Sequence, residues 1–214
     1  MTLILGGSGS GKSAYAEDYL LRAAADRQTI GKGDSQKYYI ATMQIWDEEM
    51  QAKVDRHHRL RQGKGFITIE QPVALEKALE TMRQVRAKNQ FENDETIQCG
   101  NTEHLSTQIQ SRAVLLECMS NLVANEMFSG EEQEAGQVVM ERVLRGVEML
   151  KRQTDPLVIV TNNVFEDGIV YDSGTMEYIE ALGRINERLA AEADEVIEVV
   201  AGIPQWIKKA DAQK

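Results

Sequence analysis

The chain has 214 residues, a formal net charge of −10 and 42% hydrophobic residues. These values are typical of one globular domain that buries its core without a disulfide framework, which the two cysteines, Cys99 and Cys118, cannot build. Apolar runs are shorter than the roughly 20 residues of a membrane helix. An acidic chain is also unlike proteins that wrap nucleic acid with their whole surface. We therefore expect a cytoplasmic protein that binds neither membranes nor nucleic acid.

The charge is unevenly distributed along the sequence. Residues 1–64 hold 10 basic and 8 acidic side chains, a net charge of +2, so the rest of the chain carries −12. Five of those ten cations fall within residues 53–64. Such an asymmetry can mark where an anionic ligand binds, and the alternative is that the acidic part is simply a solvated surface.

Strand-like and helix-like segments alternate along the chain. Five apolar runs have the length of strands, at residues 2–5, 37–41, 114–117, 157–161 and 196–201. Helical spacing of apolar residues is found at residues 12–25, 47–62, 73–87, 119–128, 131–152 and 176–193. The alternation predicts an α/β fold, one domain over residues 1–214 with a mostly parallel central sheet and helices on both faces. Residues 89–112 are polar and aperiodic, which predicts a surface excursion.

A glycine-rich loop follows the first predicted strand. It satisfies the pattern G-x-x-x-x-G-K-[ST] with the residues Gly6, Gly7, Ser8, Gly9, Ser10, Gly11, Lys12 and Ser13. Glycines let successive backbone N–H groups converge on phosphate oxygens, while the lysine reaches the β- and γ-phosphates and the serine hydroxyl reaches Mg²⁺. The loop therefore predicts binding of a nucleoside triphosphate with Mg²⁺. The alternative is a glycine-rich strand-to-helix turn that binds nothing, but a chance match to this pattern between a predicted strand and a predicted helix is rare.

The predicted helix at residues 47–62 has acidic residues in its first turn and basic residues in its last. Lys53, His57 and Arg61 recur every four residues along one face. Flanking cations favour the neutral imidazole, which suits a nucleophile or general base, and they can also hold phosphate oxygens. The alternative is an exposed basic helix with incidental histidines. His104, alone in the polar excursion, is interpreted as a surface residue.

These features resemble the adenosylcobinamide kinase / adenosylcobinamide-phosphate guanylyltransferase family of cobalamin biosynthesis, which implies a P-loop NTPase-like domain. The likeness covers almost the whole chain and is interrupted mainly at residues 89–112. Its further motifs are Tyr39-Ile40-Ala41-Thr42-Met43-Gln44, Leu115-Leu116-Glu117-Cys118, Asn125, Val160-Thr161-Asn162, Gly168-Ile169-Val170, Gly183-Arg184-Ile185-Asn186 and Gly202-Ile203-Pro204.

The resemblance implies a two-step enzyme. ATP or GTP first phosphorylates the hydroxyl of adenosylcobinamide. GTP then guanylylates an enzyme histidine, pyrophosphate leaves, and the GMP group passes to the new phosphate to give adenosylcobinamide-GDP. The family's histidine lies in a basic pattern that falls on residues 53–61 here, so the catalytic histidine is His57 rather than His58, with Lys12 acting on the phosphates.

The resemblance also implies the contacts of nucleotide and metal. Glu117, at the end of a hydrophobic strand, is expected to reach Mg²⁺ with Ser13. Besides Glu117 and the glycine-rich loop, the residues implied to contact the nucleotide are Ala41, Thr42, Met43, His58, Arg59, Leu60, Arg61 and Glu70. Asn125 and Asn162 either position phosphates or substrate, or satisfy buried backbone groups.

Departures from the family pattern occur at Asn163, residues 165–167, Tyr171 and residues 175–180, in the half expected to face the corrinoid or another subunit. Two further functions stay open: a kinase-only relative in which His57 merely binds phosphate, and a nucleotide-switch regulatory or interaction module. The expected small-molecule partners are a corrinoid and a nucleoside triphosphate. The family also suggests a homo-oligomer, specifically a trimer.

Overall fold

The computed structural model describes residues 1–29, 35–44, 51, 55, 59, 61–95, 111–164, 168–169 and 171–210, with the backbone alone at 28–29 and 88–95. Its elements are β1 (Thr2–Gly6), α1 (Lys12–Thr29), β2 (Gln36–Ala41), β3 (Phe66–Glu70), α2 (Lys77–Glu95), β4 (Arg112–Glu117), α3 (Met119–Phe128), α4 (Gly136–Gln153), β5 (Leu157–Asn162), α5 (Ser173–Glu192), β6 (Glu195–Val200) and β7 (Ile203–Lys208).

The predicted histidine helix, residues 47–62, is described at five positions only, the fifth being Gln62 in a turn. Gln51, Asp55, Arg59 and Arg61 are helical, and the Gln51 amide donates to the Asp55 carboxylate one turn later over 2.9 Å. The predicted site residues that lie outside the described residues are His57, His58 and Leu60.

The seven strands form one sheet in the order β3-β2-β4-β5-β1-β6-β7. Every neighbouring pair is parallel except β6 and β7, which form an antiparallel hairpin. The prediction of a mostly parallel α/β sheet is confirmed. The strand β1 lies between β5 and β6, so the loop that follows it emerges inside the sheet rather than at its edge.

Two strands, β3 and β7, were not among the predicted ones, and both lie at the edges of the sheet. In β3 only Ile69 is fully buried, and Thr68 and Glu70 are exposed. In β7 almost every residue is exposed. Edge strands bury fewer side chains, so their sequences lack the continuous apolar run of a central parallel strand.

The helix boundaries differ from the predicted ones at several ends. The helix α2 begins at Lys77 rather than at residue 73, because Ala74 adopts a left-handed conformation with φ of 54°. It ends at Glu95, so residues 89–95 of the predicted excursion continue a helix. The helix α5 begins three residues earlier than predicted, at Ser173, where the Asp172 carboxylate accepts the Thr175 N–H over 3.0 Å.

The sheet separates two apolar layers. One face packs against α1 through residues such as Ile4, Leu20 and Tyr39. The opposite face packs against α2, α3, α4 and α5 and buries the larger cluster. None of the described helices combines the length and apolar composition needed to cross a bilayer.

Candidate active site at the carboxyl edge of the sheet

The glycine-rich loop connects β1 to the first turn of α1. A Cβ atom on Gly6 would meet the Val199 carbonyl oxygen at 2.5 Å and Ser10 Oγ at 2.6 Å, so only glycine fits there. Gly9 and Gly11 have positive φ angles of 72° and 88°. This backbone turns back over the N-terminus of α1, which is the arrangement that directs successive N–H groups toward an anion.

Lys12 is held within the loop that precedes it. Its side chain is only 8% exposed, and its ammonium donates to the Gly7 carbonyl over 3.1 Å. The cation is therefore fixed on the concave side of the loop instead of extending into solvent. A positive charge at this place favours the β- and γ-phosphates of a nucleotide.

Next to Lys12, Ser13 is paired with Glu117 from the end of β4. Ser13 Oγ donates to Glu117 Oε1 over 2.6 Å, and Glu117 Oε2 is buried without a hydrogen-bond partner among the described residues. Burial raises the pKa of Glu117 to about 7, against the opposing effects of the Ser13 hydrogen bond and the Lys12 charge. A hydroxyl and a buried carboxylate with a free oxygen are the hard ligands that Mg²⁺ prefers.

The ends of the neighbouring strands line up with Glu117. Ala41 at the end of β2 is the register partner of Glu117 on one side and of Glu70 on the other. Glu70 is exposed. The three predicted contact positions therefore share one edge of the sheet with the glycine-rich loop, where ligands of open parallel sheets bind.

The loop that follows β2 is fixed by hydrogen bonds to β4 and α3. Thr42 is buried, and its hydroxyl accepts the Cys118 N–H over 2.8 Å. The Asn125 amide donates to the carbonyls of Thr42 and Pro72 over 2.7 and 3.0 Å. Of the two roles considered for Asn125, these bonds match the one that satisfies backbone groups.

Asn162 lies at the end of β5, with Gly6 as its register partner. Its Nδ2 donates to Ser120 Oγ over 2.7 Å, while its Oδ1 is buried without a partner among the described residues. Unlike Asn125, it retains a polar atom that a ligand can satisfy.

Arg61, near the end of the predicted histidine helix, contacts β2, and Lys64, just after that helix, contacts α1. Arg61 is 6% exposed, and its guanidinium carbon lies 3.6 Å from the centre of the Tyr39 ring, a cation–π contact. Lys64 Nζ lies 2.7 Å from Glu17 Oε2, and the Glu17 side chain is only 4% exposed. Arg59 and Arg61 also line a cleft of about 590 Å³. These contacts attach this part of the chain to the helix that begins at the glycine-rich loop.

A family model described as cobinamide kinase / cobinamide phosphate guanyltransferase matches residues 2–90 and 83–207, nearly the whole chain. The chain belongs to this family. It is therefore an enzyme with the family's kinase and guanylyltransferase activities in cobalamin biosynthesis.

Two similar relatives are both described as a bifunctional adenosylcobalamin biosynthesis protein CobU. The one from Escherichia coli K12 is 32% identical over 219 aligned residues, which cover 97% of this chain and 99% of the relative. The one from Salmonella typhimurium LT2 is 30% identical over 223 residues, with the same coverage. The match extends through both halves of the chain, including the half with the departures from the family pattern.

Three residues that support the site were not among the site residues predicted from the sequence: Glu17, Tyr39 and Lys64. Glu17 had a visible signal, because Ala16, Leu20 and Ala24 place it beside the buried stripe of α1, where an acid needs a partner. The contact between Tyr39 and Arg61 had none, because it joins two elements far apart in sequence.

Proposed function

We propose that the glycine-rich loop binds the nucleoside triphosphate and that phosphoryl transfer to adenosylcobinamide takes place at its concave side. The supporting observation is the buried Ser13–Glu117 hydrogen bond beside Lys12, with Glu117 Oε2 left unpartnered among the described residues. The substrate hydroxyl attacks the γ-phosphorus and loses its proton to solvent, while the bond from that phosphorus to the β–γ bridging oxygen breaks and the nucleoside diphosphate leaves. Lys12 and the loop N–H groups stabilise the charge that accumulates on the phosphate oxygens.

Mg²⁺ is the cofactor that this donor set fits. Ser13 and Glu117 would hold it, and when bound it neutralises charge on the β- and γ-phosphate oxygens. A cation next to Glu117 Oε2 would also satisfy the buried oxygen and favour the ionised carboxylate.

In the second step we assign the role of nucleophile to His57. An imidazole nitrogen attacks the α-phosphorus of GTP, and pyrophosphate leaves as the phosphorus–nitrogen bond forms. A phosphate oxygen of adenosylcobinamide phosphate then attacks the same phosphorus, which breaks that bond, frees the imidazole and completes adenosylcobinamide-GDP. Two steps through a covalent intermediate replace one difficult displacement.

The contacts of Arg61 and Lys64, which follow His57 in the sequence, support this assignment. Lys64 is paired with buried Glu17 of α1, and Arg61 stacks on Tyr39 of β2. These contacts hold residues 61–64 against the elements that carry the glycine-rich loop and Ala41. The cations of residues 53–64 belong to the part of the chain with a net charge of +2, residues 1–64. A positive charge there favours binding of triphosphate and pyrophosphate.

The test is to incubate the pure protein with α-labelled GTP and Mg²⁺ and to recover acid-labile, base-stable label. We expect label on the wild-type protein and on the control variant His104→Ala, and none on His57→Ala. His57→Ala should still phosphorylate adenosylcobinamide, because that step does not use the imidazole, whereas Lys12→Ala should not.

The alternatives correspond to different outcomes of the same test. Label retained in His57→Ala would overturn the histidine assignment. Phosphorylation without any label in the wild-type protein would indicate a kinase-only enzyme, and neither reaction would indicate a nucleotide switch. The homo-oligomer, as a trimer, and the cytoplasmic location remain predictions; light scattering of the purified protein checks the first.

A further inference from the structure

The hairpin of β6 and β7 turns directly against the glycine-rich loop. The turn residue Gly202 donates its N–H to the Ser10 carbonyl over 2.8 Å. A Cβ atom on Gly11 would lie 3.3 Å from the Gly202 Cα, and one on Gly6 would meet the Val199 oxygen. Ala201 and Gly202 both adopt positive φ angles, of 49° and 78°, to make this turn. The hairpin tip therefore forms one wall of the loop.

This wall presents apolar side chains to open space. Val200 and Ile203 are register partners across the hairpin and are 47% and 64% exposed. A Cβ atom on Gly202 would meet no atom of the described residues within 4 Å, and the same holds for Gly7 and Gly9. Large aliphatic side chains exposed as a pair beside a polar loop offer a surface for a flat apolar ligand group.

The residue Glu117 and the hairpin tip lie on opposite sides of β1 in the sheet. Ser13 and Glu117, which would hold Mg²⁺, are hydrogen-bonded to each other on the side of β1 that faces β5 and β4. The hairpin is on the other side of β1, because β6 is the neighbour of β1 in that direction. A base that packs on the hairpin tip would therefore extend from the loop toward β6, away from Glu117.

We propose that Val200 and Ile203, at the tip of the β6–β7 hairpin, form the surface on which the purine base of the loop-bound nucleotide packs. The Cα of Ile203 is about 3.8 Å from that of Gly202, which contacts the loop directly, so the surface is adjacent to the phosphate site. The proposal rests on the proposed function, namely that the glycine-rich loop holds the triphosphate. It gives a role to Gly202-Ile203-Pro204, a motif that the two reaction steps do not use.

The test compares two probes, ATP with Mg²⁺ and inorganic tripolyphosphate with Mg²⁺, by calorimetry on the full chain. Ile203→Ala should raise the Kd for ATP about fivefold, since it removes most of an apolar side chain from the contact. It should leave the Kd for tripolyphosphate unchanged, because that probe has no base. Val200→Ala combined with Ile203→Ala should weaken ATP binding further, and Ile203→Met should retain it.

The control is Ile207→Ala on the same strand. Ile207 is 63% exposed, close to the value for Ile203, but lies four residues farther from the turn. We expect it to bind both probes as the wild type does. An equal loss of ATP and tripolyphosphate binding in Ile203→Ala would overturn the proposal, because the residue would then act through the shape of the loop.

Two further results would also overturn it. One is unchanged ATP binding in the double variant. The other is a change of oligomeric state in Ile203→Ala, measured by sedimentation, that accounts for the weaker binding, because Ile203 would then belong to a contact between subunits. Lys12→Ala separates this proposal from the proposed function: if neither probe depends on Lys12, the triphosphate is not in the loop and both fail together.

Discussion

Replacing Glu117 by glutamine in the metal-free protein should stabilise it, and increasingly so as the pH rises. Burial raises the pKa of Glu117 from 4.5 to about 7. The folded protein therefore keeps the proton at pH values where the unfolded chain has lost it. The contribution of Glu117 to the free energy of unfolding is then most favourable below pH 4.5 and is lost as the pH rises from 4.5 through 7. Glutamine has nearly the same shape and never ionises, so it avoids this loss.

The size of the effect follows from the pKa difference. A difference of about 2.5 units corresponds to about 3 kcal/mol at 1.36 kcal/mol per unit. We expect Glu117→Gln to exceed the wild type in free energy of unfolding by about 1 kcal/mol at pH 5.5 and about 3 kcal/mol at pH 8. Urea denaturation in a chelator at both pH values measures this difference directly, and the comparison cancels groups that the two proteins share.

Mg²⁺ provides the complementary measurement. Added at pH 8, it should stabilise the wild type and have little effect on Glu117→Gln, because only the carboxylate pairs with the cation. A stability difference between the two proteins that does not change with pH would show that the buried carboxylate is not the destabilising group. So would a Glu117→Gln variant less stable than the wild type at pH 8.

Three sets of substitutions test other contacts of the site. Gly6→Ala should disrupt triphosphate binding, since its Cβ would meet the Val199 carbonyl oxygen at 2.5 Å. Gly7→Ala should not, because its Cβ would meet no atom of the described residues within 4 Å. Calorimetry with tripolyphosphate compares the two variants. Lys64→Met should cost about 3 kcal/mol of stability by stranding the buried carboxylate of Glu17, and Glu17→Gln added to it should recover most of that loss in urea denaturation; additive effects would contradict the pairing. Asn125→Ala should cost about 2 kcal/mol, because two backbone carbonyls lose their donor, and an unchanged melting temperature would count against that role.

The central part of the fold was predictable from sequence because its strands are buried on both faces. Each of β1, β4 and β5 contains an uninterrupted run of three or four apolar residues, so the run itself marks the strand. The edge strands β3 and β7 lack that signal, since their exposed positions accept residues such as Glu70, Gln205 and Lys208. Their pairing depends on neighbours that a local pattern does not contain.

The site was predictable where its residues are consecutive in the chain. The glycine-rich loop carries its chemistry in eight adjacent residues, and Glu117 ends a recognisable strand. The hydrogen bond between Ser13 and Glu117 and the pair of Glu17 with Lys64 join residues 104 and 47 positions apart. A local sequence pattern does not contain these contacts, because each one joins a residue of α1 to a residue far away in the sequence.

A chase of the labelled protein tests whether the guanylylated histidine lies on the path to adenosylcobinamide-GDP. Protein labelled with α-labelled GTP is freed of nucleotide and mixed with adenosylcobinamide phosphate in a single turnover. We expect label to leave the protein and to appear in adenosylcobinamide-GDP at least as fast as the enzyme turns over. His57→Ala should form neither labelled protein nor adenosylcobinamide-GDP. Label that stays on the protein while product forms, or product formed by His57→Ala at the wild-type rate, would contradict the account.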